Sequence, residues 1–190
     1  MTKRKLGIAV IGLGGAVGTT MVAGLELLRK RKIDTQGLPL AELDIAGLAA
    51  YEDILIGGWD VYGSHLANAA EEHDVLTHRQ FVAVESELRQ IKPWPGVGNS
   101  EFVTNIAGEN QISAGDHRGS IARIRQDLEE FRELCESVVV INLASTEKLA
   151  IEGNEIFNSL SSLEKALDDN SADLSPAILY AYAAISAGVP

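Results

Sequence analysis

The stretch Leu6-Gly7-Ile8-Ala9-Val10-Ile11-Gly12-Leu13-Gly14-Gly15-Ala16-Val17-Gly18-Thr19-Thr20 passes from an apolar run through a glycine-rich turn into a helical pattern. That order decides the fold. A short aliphatic, β-branched run reads as a strand buried on both faces, the way strands of parallel sheets read. Gly12, Gly14 and Gly15 let the backbone turn sharply and approach a pyrophosphate closely, and Gly18 lets the next helix pack tightly. The first N–H groups and the positive end of that helix face the phosphates, so anion binding needs no lysine in the turn. The stretch is a dinucleotide-binding signature, and the expected fold class is α/β, a Rossmann-like doubly wound parallel sheet with helices on both faces.

The fingerprint G-x-G-x-x-G is not met to the letter, because its third glycine falls at Val17 and is displaced to Gly18. No Gly-Lys-Ser/Thr follows, which disfavours a P-loop. The alternative is a turn that joins strand to helix without a ligand.

Of 190 residues, 46% are hydrophobic and 23% charged, as in an ordinary globular domain with one substantial core. The net charge of −11 disfavours nucleic acid and anionic membrane as partners. The basic clusters are Lys3-Arg4-Lys5 and Arg29-Lys30-Arg31-Lys32, the second read as a solvated helix end whose cations complement the dipole. Cys135 is the single cysteine, so neither an intrachain disulfide nor a cysteine metal framework is expected, and a reducing cytoplasm fits. It reads as a buried small hydrophobe on a helix stripe. No signal peptide is expected from the short run Leu6–Ile11, and no segment approaches the ~20 apolar residues of a spanning helix.

Val17, Met21, Leu25 and Leu28 recur at helical spacing, and residues 34–53 read as irregular. The second strand is expected over Ile54–Val61. Its Asp60 lies 42 residues past Gly18, where an ordinary unit has its ribose-binding acid about 20 residues on, so an insertion separates helix and strand. Short helices are expected over Ser64–Asp74 and Arg79–Ile91. Residues 93–117 carry Pro93, Pro95 and several glycines and read as a loop over the site, mobile alone and ordered when a dinucleotide binds, with a plain solvent excursion as the alternative.

Ile121, Ile124, Leu128, Phe131 and Cys135 form one helical face, followed by a strand over Val138–Ala144 that ends in Ser145-Thr146-Glu147. Ile156, Leu160, Leu163 and Leu167 mark another helix. A last one starts with Ser175 as N-cap and Pro176 at its first position, with Gly188 as its stop. Ending at Val189-Pro190, the chain reads as the front part of something larger.

Asp60 reads as the acceptor of adenosine ribose hydroxyls, with a turn or capping carboxylate as the alternative. Leu143, Ala144, Ser145 and Thr146, at the carboxyl end of a later strand, read as lining the nicotinamide side, with a ligand-free turn as the alternative. His65, His73, His78 and His117 lack metal-ligand spacing and read as surface residues, and no metal site is expected. Glu129 and Glu130 read as solvated, and Trp59 and Trp94 as packing rather than as adenine contacts.

Taken in order, several segments resemble the myo-inositol-1-phosphate synthase (inositol-3-phosphate synthase) family. Gly12 to Thr20 is similar to its nucleotide turn, with Ala16 and Val17 where two asparagines are usual. Gly58-Trp59-Asp60 is similar to its Gly-Trp-Asp signature. Val138 to Glu147 resembles its strand ending in Ala-Asn-Thr-Glu, with Ser145 in place of asparagine and Asn142 in place of tryptophan. Ser175-Pro176 through Gly188-Val189-Pro190 resembles the helix that leads into the family's catalytic domain.

The resemblance implies the NAD-binding portion, residues 1–190, of an isomerase of inositol and phospholipid biosynthesis, a homotetramer when full length. The domain that carries the catalytic lysines and the tetramer-forming sheet lies outside it, so catalytic residues are unassigned and the fragment alone is expected to be inactive. In the family, NAD⁺ oxidises open-chain glucose 6-phosphate, an aldol step closes the ring, and the hydride is returned. The implied cofactor contacts are Gly12 through Thr19, Asp60 and Leu143 through Thr146, with NAD favoured over NADP. An ordinary NAD-dependent dehydrogenase and a non-catalytic NAD-binding regulatory module are the competing readings.

Overall fold

The computed structural model describes residues 4–41, 43, 45–103, 108–149 and 153–190. Lys3 and part of the 93–117 segment thus lie outside the described residues. Four parallel strands form one sheet in the order β3-β2-β1-β4. They are β1 (Arg4–Ile11), β2 (Ile54–Asp60), β3 (Trp94–Pro95) and β4 (Cys135–Asn142). The helices are α1 (Ala16–Arg29), α2 (Leu66–His73), α3 (His78–Leu88), α4 (His117–Arg132), α5 (Leu160–Asp168) and α6 (Pro176–Ser186). β1 is central, with Ile8 opposite Ile56 on one side and Val139 on the other. Each connection between parallel strands needs a crossover, and the helices provide it on both faces.

Two cores result. Val10, Leu13, Val22, Leu27, Leu66 and Val84 fill the α1–α2–α3 side. Trp59, Ile124, Leu128, Phe131, Leu167 and Leu179 fill the α4–α5–α6 side. The expected α/β sheet with helices on both faces is therefore present. The described residues of 34–53 are turns and irregular chain plus one 3₁₀ turn at Tyr51–Asp53, and this segment is the insertion before β2.

Several local expectations are corrected. Val17 is 62% exposed, and the buried face of α1 runs through Gly18, Val22 and Leu25. A Cβ at Gly18 would lie 2.5 Å from the Leu13 carbonyl oxygen, so the glycine must face the turn and thereby rotates the stripe away from Val17. Cys135 is buried, yet it opens β4 opposite Arg4 instead of closing α4. Its i+4 spacing from Phe131 mimics a helix, while the helix ends at Arg132 and strand pairing takes over.

The helix expected from Ile156 to Leu167 is a 3₁₀ turn, Glu155–Phe157, and then α5. Asn154 and Ser159 each cap their own start and so interrupt the periodicity. Arg29 and Lys30 are not simply solvated. Arg29 donates to the carbonyls of Tyr51 and Ile54, and Lys30 donates to the Ala83 carbonyl and to Glu87. They tie the end of α1 to its neighbours.

The 93–117 segment is not loop throughout. Trp94 and Pro95 pair with Trp59 and Asp60, and Gly96 bridges to Gln111. Asn110 Nδ2 donates to the carbonyl oxygens of Asp60 at 2.8 Å and Trp94 at 3.2 Å. Trp94, Val97 and Ile112 pack against the α4–α6 core, an apolar contribution that the Gly/Pro content concealed.

Candidate functional site

In an open parallel sheet, ligands sit outside the carboxyl ends of the strands where the strand order reverses. Here that point lies between β1 and β4. A cleft of about 450 Å³ opens there, walled by the glycine turn, the end of β2, the segment after β4 and part of the 93–117 segment.

The turn is built by close backbone approach. Gly12 has φ +82, and a Cβ on it would lie 2.8 Å from the Ala144 Cα, so a side chain there is excluded by both strain and space. The N–H groups of Gly12 and Leu13 donate to the Trp59 carbonyl at 2.9 and 3.1 Å. Gly15 is the N-cap of α1, which has no side-chain cap and no acidic residue in its first turn. Ala16 and Val17, its first residues, line the cleft. The chain thus presents the positive end of a helix of 14 residues to an open space.

Asp60 sits across from it and is only 9% exposed. Its Oδ2 accepts from the Gly14 N–H at 2.8 Å and its Oδ1 from the Tyr62 N–H at 3.0 Å. Burial pushes its carboxyl above the ordinary aspartate range, against the opposing pull of the Tyr62 and Gly14 donors and of His73. Asp60 thus holds the turn, the alternative named for it, and this leaves room for a further acceptor role. A carboxylate has about four lone-pair sites, and two backbone donors leave the others for hydroxyls.

Most of the other expected site residues converge on the cleft. Gly12, Gly14, Gly15, Leu143, Ala144 and Ser145 line it. Leu13, Gly18 and Thr19 lie behind the turn, buried. The Thr19 hydroxyl has no hydrogen-bond partner among the described residues. Thr146 is exposed and is not a lining residue.

Other contributors escaped the sequence reading. Tyr180 of α6 borders the cleft, and its oxygen accepts from the Val97 N–H at 2.9 Å. Burial holds its phenol well above the ordinary tyrosine range. Glu147 Oε1 accepts from the Ala177 N–H at 3.0 Å and so satisfies the start of α6. Trp59, fully buried, meets Trp94 edge-on at 5.0 Å, in keeping with packing. Its indole N–H donates to Asp127 Oδ2 at 2.8 Å. Asp127 also pairs with Arg123 at 2.6 Å, and burial raises its carboxyl more than Trp59 and Arg123 lower it. An aspartate at position i+3 from Ile124 on an apolar stripe was the only sequence signal for this contact.

His65 and His78 are exposed, as expected, whereas His73, though exposed, borders the cleft. His117 is half-buried, and its ring donates to the Ser171 carbonyl at 2.8 Å. Glu129 and Glu130 are exposed. Among the described residues, no cluster of histidine, cysteine and acidic side chains could hold a metal ion. No helix of the described residues is long and apolar enough to cross a membrane.

A model of an NAD-binding domain family, described as myo-inositol-1-phosphate synthase, matches residues 38–190. Inositol-3-phosphate synthase 1 of Bacteroides thetaiotaomicron is 34% identical over 202 residues, covering 98% of this chain and 47% of that protein. Inositol-3-phosphate synthase 1 of Oryza sativa subsp. japonica is 28% identical over 220 residues, covering all of this chain and 43% of that protein. The crystal structure of inositol-3-phosphate synthase from Caenorhabditis elegans shares the fold with a TM-score of 0.84 at 20% identity, over 99% of this chain and 43% of that one. A myo-inositol-1-phosphate synthase-related protein from Thermotoga maritima superposes at a TM-score of 0.66 with 24% identity, over 96% of this chain and 44% of that one. The chain spans a little under half the length of the curated relatives it matches.

Proposed function

The chain belongs to the myo-inositol-1-phosphate synthase family, and from that premise we propose that it is the NAD-binding portion of an inositol-3-phosphate synthase, which converts D-glucose 6-phosphate to 1D-myo-inositol 3-phosphate. The observation that carries the cofactor half is the uncapped start of α1 at the cleft, opposite the buried carboxylate of Asp60. In this reading the backbone N–H groups of Ala16 and Val17 take the diphosphate, and the bare backbone of Gly12, Gly14 and Gly15 gives it room. Leu13, Gly18 and Thr19 shape the turn from behind. Asp60 accepts the adenosine ribose hydroxyls and repels a 2′-phosphate. Leu143, Ala144 and Ser145 flank the nicotinamide side, and the stretch from Gly98 to Val103 closes over the dinucleotide.

Bound there, NAD⁺ supplies a hydride acceptor and, once reduced, a hydride donor for a reaction with no net redox change. The residues of this chain orient it and exclude water. A cytoplasmic homotetramer is part of the same reading and rests on the resemblance to the family.

Calorimetry tests it. NAD⁺ should bind, and NADP⁺ should bind at least about tenfold more weakly, a difference of about 1.4 kcal/mol. Equal affinities would remove Asp60 as the ribose contact. Gly14→Val should abolish binding, because a Cβ there already stands 3.2 Å from Asp60 Oδ2 and two further methyl groups follow. A folded Gly14→Val protein with unchanged affinity would discard the turn as the site.

A further inference from the structure

His73, the last residue of α2, points its ring at the glycine turn, and its Nε2 lies 3.0 Å from the Gly14 carbonyl oxygen. A carbonyl can only accept, so Nε2 carries the hydrogen. Asp60 holds the other end of the same residue by accepting the Gly14 N–H at 2.8 Å. The next N–H, that of Gly15, donates to the Gly12 carbonyl at 3.1 Å.

The peptide groups on both sides of Gly14 are therefore tied down, one by a carboxylate and one by an imidazole. Glycine has the largest conformational freedom of any residue. The plane of the Gly14–Gly15 peptide sets the direction in which α1 starts, and with it the aim of the Ala16 and Val17 N–H groups. Ordering a site before the ligand arrives removes that cost from binding. We propose that His73 is a positioning residue of the dinucleotide site, which clamps the Gly14 carbonyl so that the start of α1 is aimed at the diphosphate before NAD⁺ binds. This rests on the functional reading above.

His73→Ala removes the donor, and His73→Gln retains an N–H at the reach of Nε2. The alanine variant should bind NAD⁺ about fivefold more weakly, the scale of one net hydrogen bond, and the glutamine variant should return to within about twofold of the natural chain. In the free proteins, exchange of the Gly15 amide, which shares the clamped Gly14–Gly15 peptide and donates to the Gly12 carbonyl, should quicken in His73→Ala and not in His73→Gln. Nitrogen NMR of the unliganded natural chain should find the neutral His73 ring protonated at Nε2, a readout that does not depend on any variant folding.

Equal NAD⁺ affinity in the alanine variant and the natural chain would overturn the proposal, as would a glutamine variant as weak as alanine or an Nδ1-protonated ring. If the natural chain fails to bind NAD⁺, the functional reading falls and takes the clamp's role with it. If it binds and the variants do not differ from it, only the clamp falls.

Discussion

The helices α1 and α4 both start beside the carboxyl edge of the sheet, but their first turns are finished in opposite ways. At α4, Asp116 caps the helix, and its Oδ1 accepts the Gly119 N–H at 2.6 Å. At α1 the cap is Gly15, with no side chain to offer. Three other helix starts resemble α4: Thr77 and Gln80 form a capping box on α3, Ser159 caps α5, and Glu147 is borrowed by α6, whereas α2 starts at His65 without a side-chain cap. Free N–H groups at a helix start need a partner. Of the two helix starts without a side-chain partner, α1 and α2, that of α1 lines an apolar-walled cleft, and the proposed function gives its free N–H groups the diphosphate as partner.

Supplying α1 with the cap it lacks breaks the comparison most severely. Gly15 has φ −72 and ψ 167, which a side chain tolerates, and a Cβ there would meet only the Gly12 carbonyl oxygen, at 3.3 Å, which a shift of a few tenths of an ångström relieves, so Gly15→Asp should fold. Its carboxylate would occupy the place that the proposed function gives the diphosphate, and NAD⁺ affinity should fall by at least about tenfold, about 1.4 kcal/mol, with no loss of melting temperature. Calorimetry and thermal unfolding on one sample decide it; undiminished affinity would mean that the start of α1 is not the anion site.

The converse change removes the cap from α4. Asp116→Ala should cost about 1 kcal/mol of stability and lower the melting temperature by about 3 °C, with NAD⁺ affinity unchanged. A binding loss as large as that of Gly15→Asp would erase the distinction between the two helix starts.

The smallest effect concerns how α4 supports the cleft from behind, through Asp127 and the Trp59 indole. Burial raises the Asp127 carboxyl in the folded state. Its contribution to stability is therefore fully present below the unfolded value and is lost as pH rises through the folded one. Asp127→Asn keeps an acceptor for Trp59 and has no proton to lose. Denaturant unfolding between about pH 4 and about pH 7 should show a shallower decline of stability in the variant than in the natural chain. A steeper decline would show that the Arg123 pair, not burial, governs this carboxylate.

The residues that were legible in the sequence are those whose role is carried by the local backbone. The β1–turn–α1 order, the insertion before β2, Pro176 at the start of α6 and Gly188 at its end, where φ is +68, follow from chain sterics within a few residues. The place of Asp60 at the end of β2, beside the cleft, was also legible from the strand pattern. Val17, Cys135 and the interrupted helix at 155–168 misled, because hydrophobic spacing does not say which way a glycine must face, where strand pairing begins, or which polar side chain caps a turn.

By itself, then, the sequence determined the strand–glycine turn–helix unit, the parallel α/β class and the bare start of α1, because backbone sterics and period-matched burial act over short spans. The tertiary structure alone decided that β3 completes the sheet edge, that Asp127 holds Trp59 across 68 residues of chain, and that Asp60 and His73 meet on Gly14 from 46 and 59 residues away. Those contacts join groups whose separation along the chain carries no periodic signal, and they exist only once two packed layers bring the strand ends and α2 to one place.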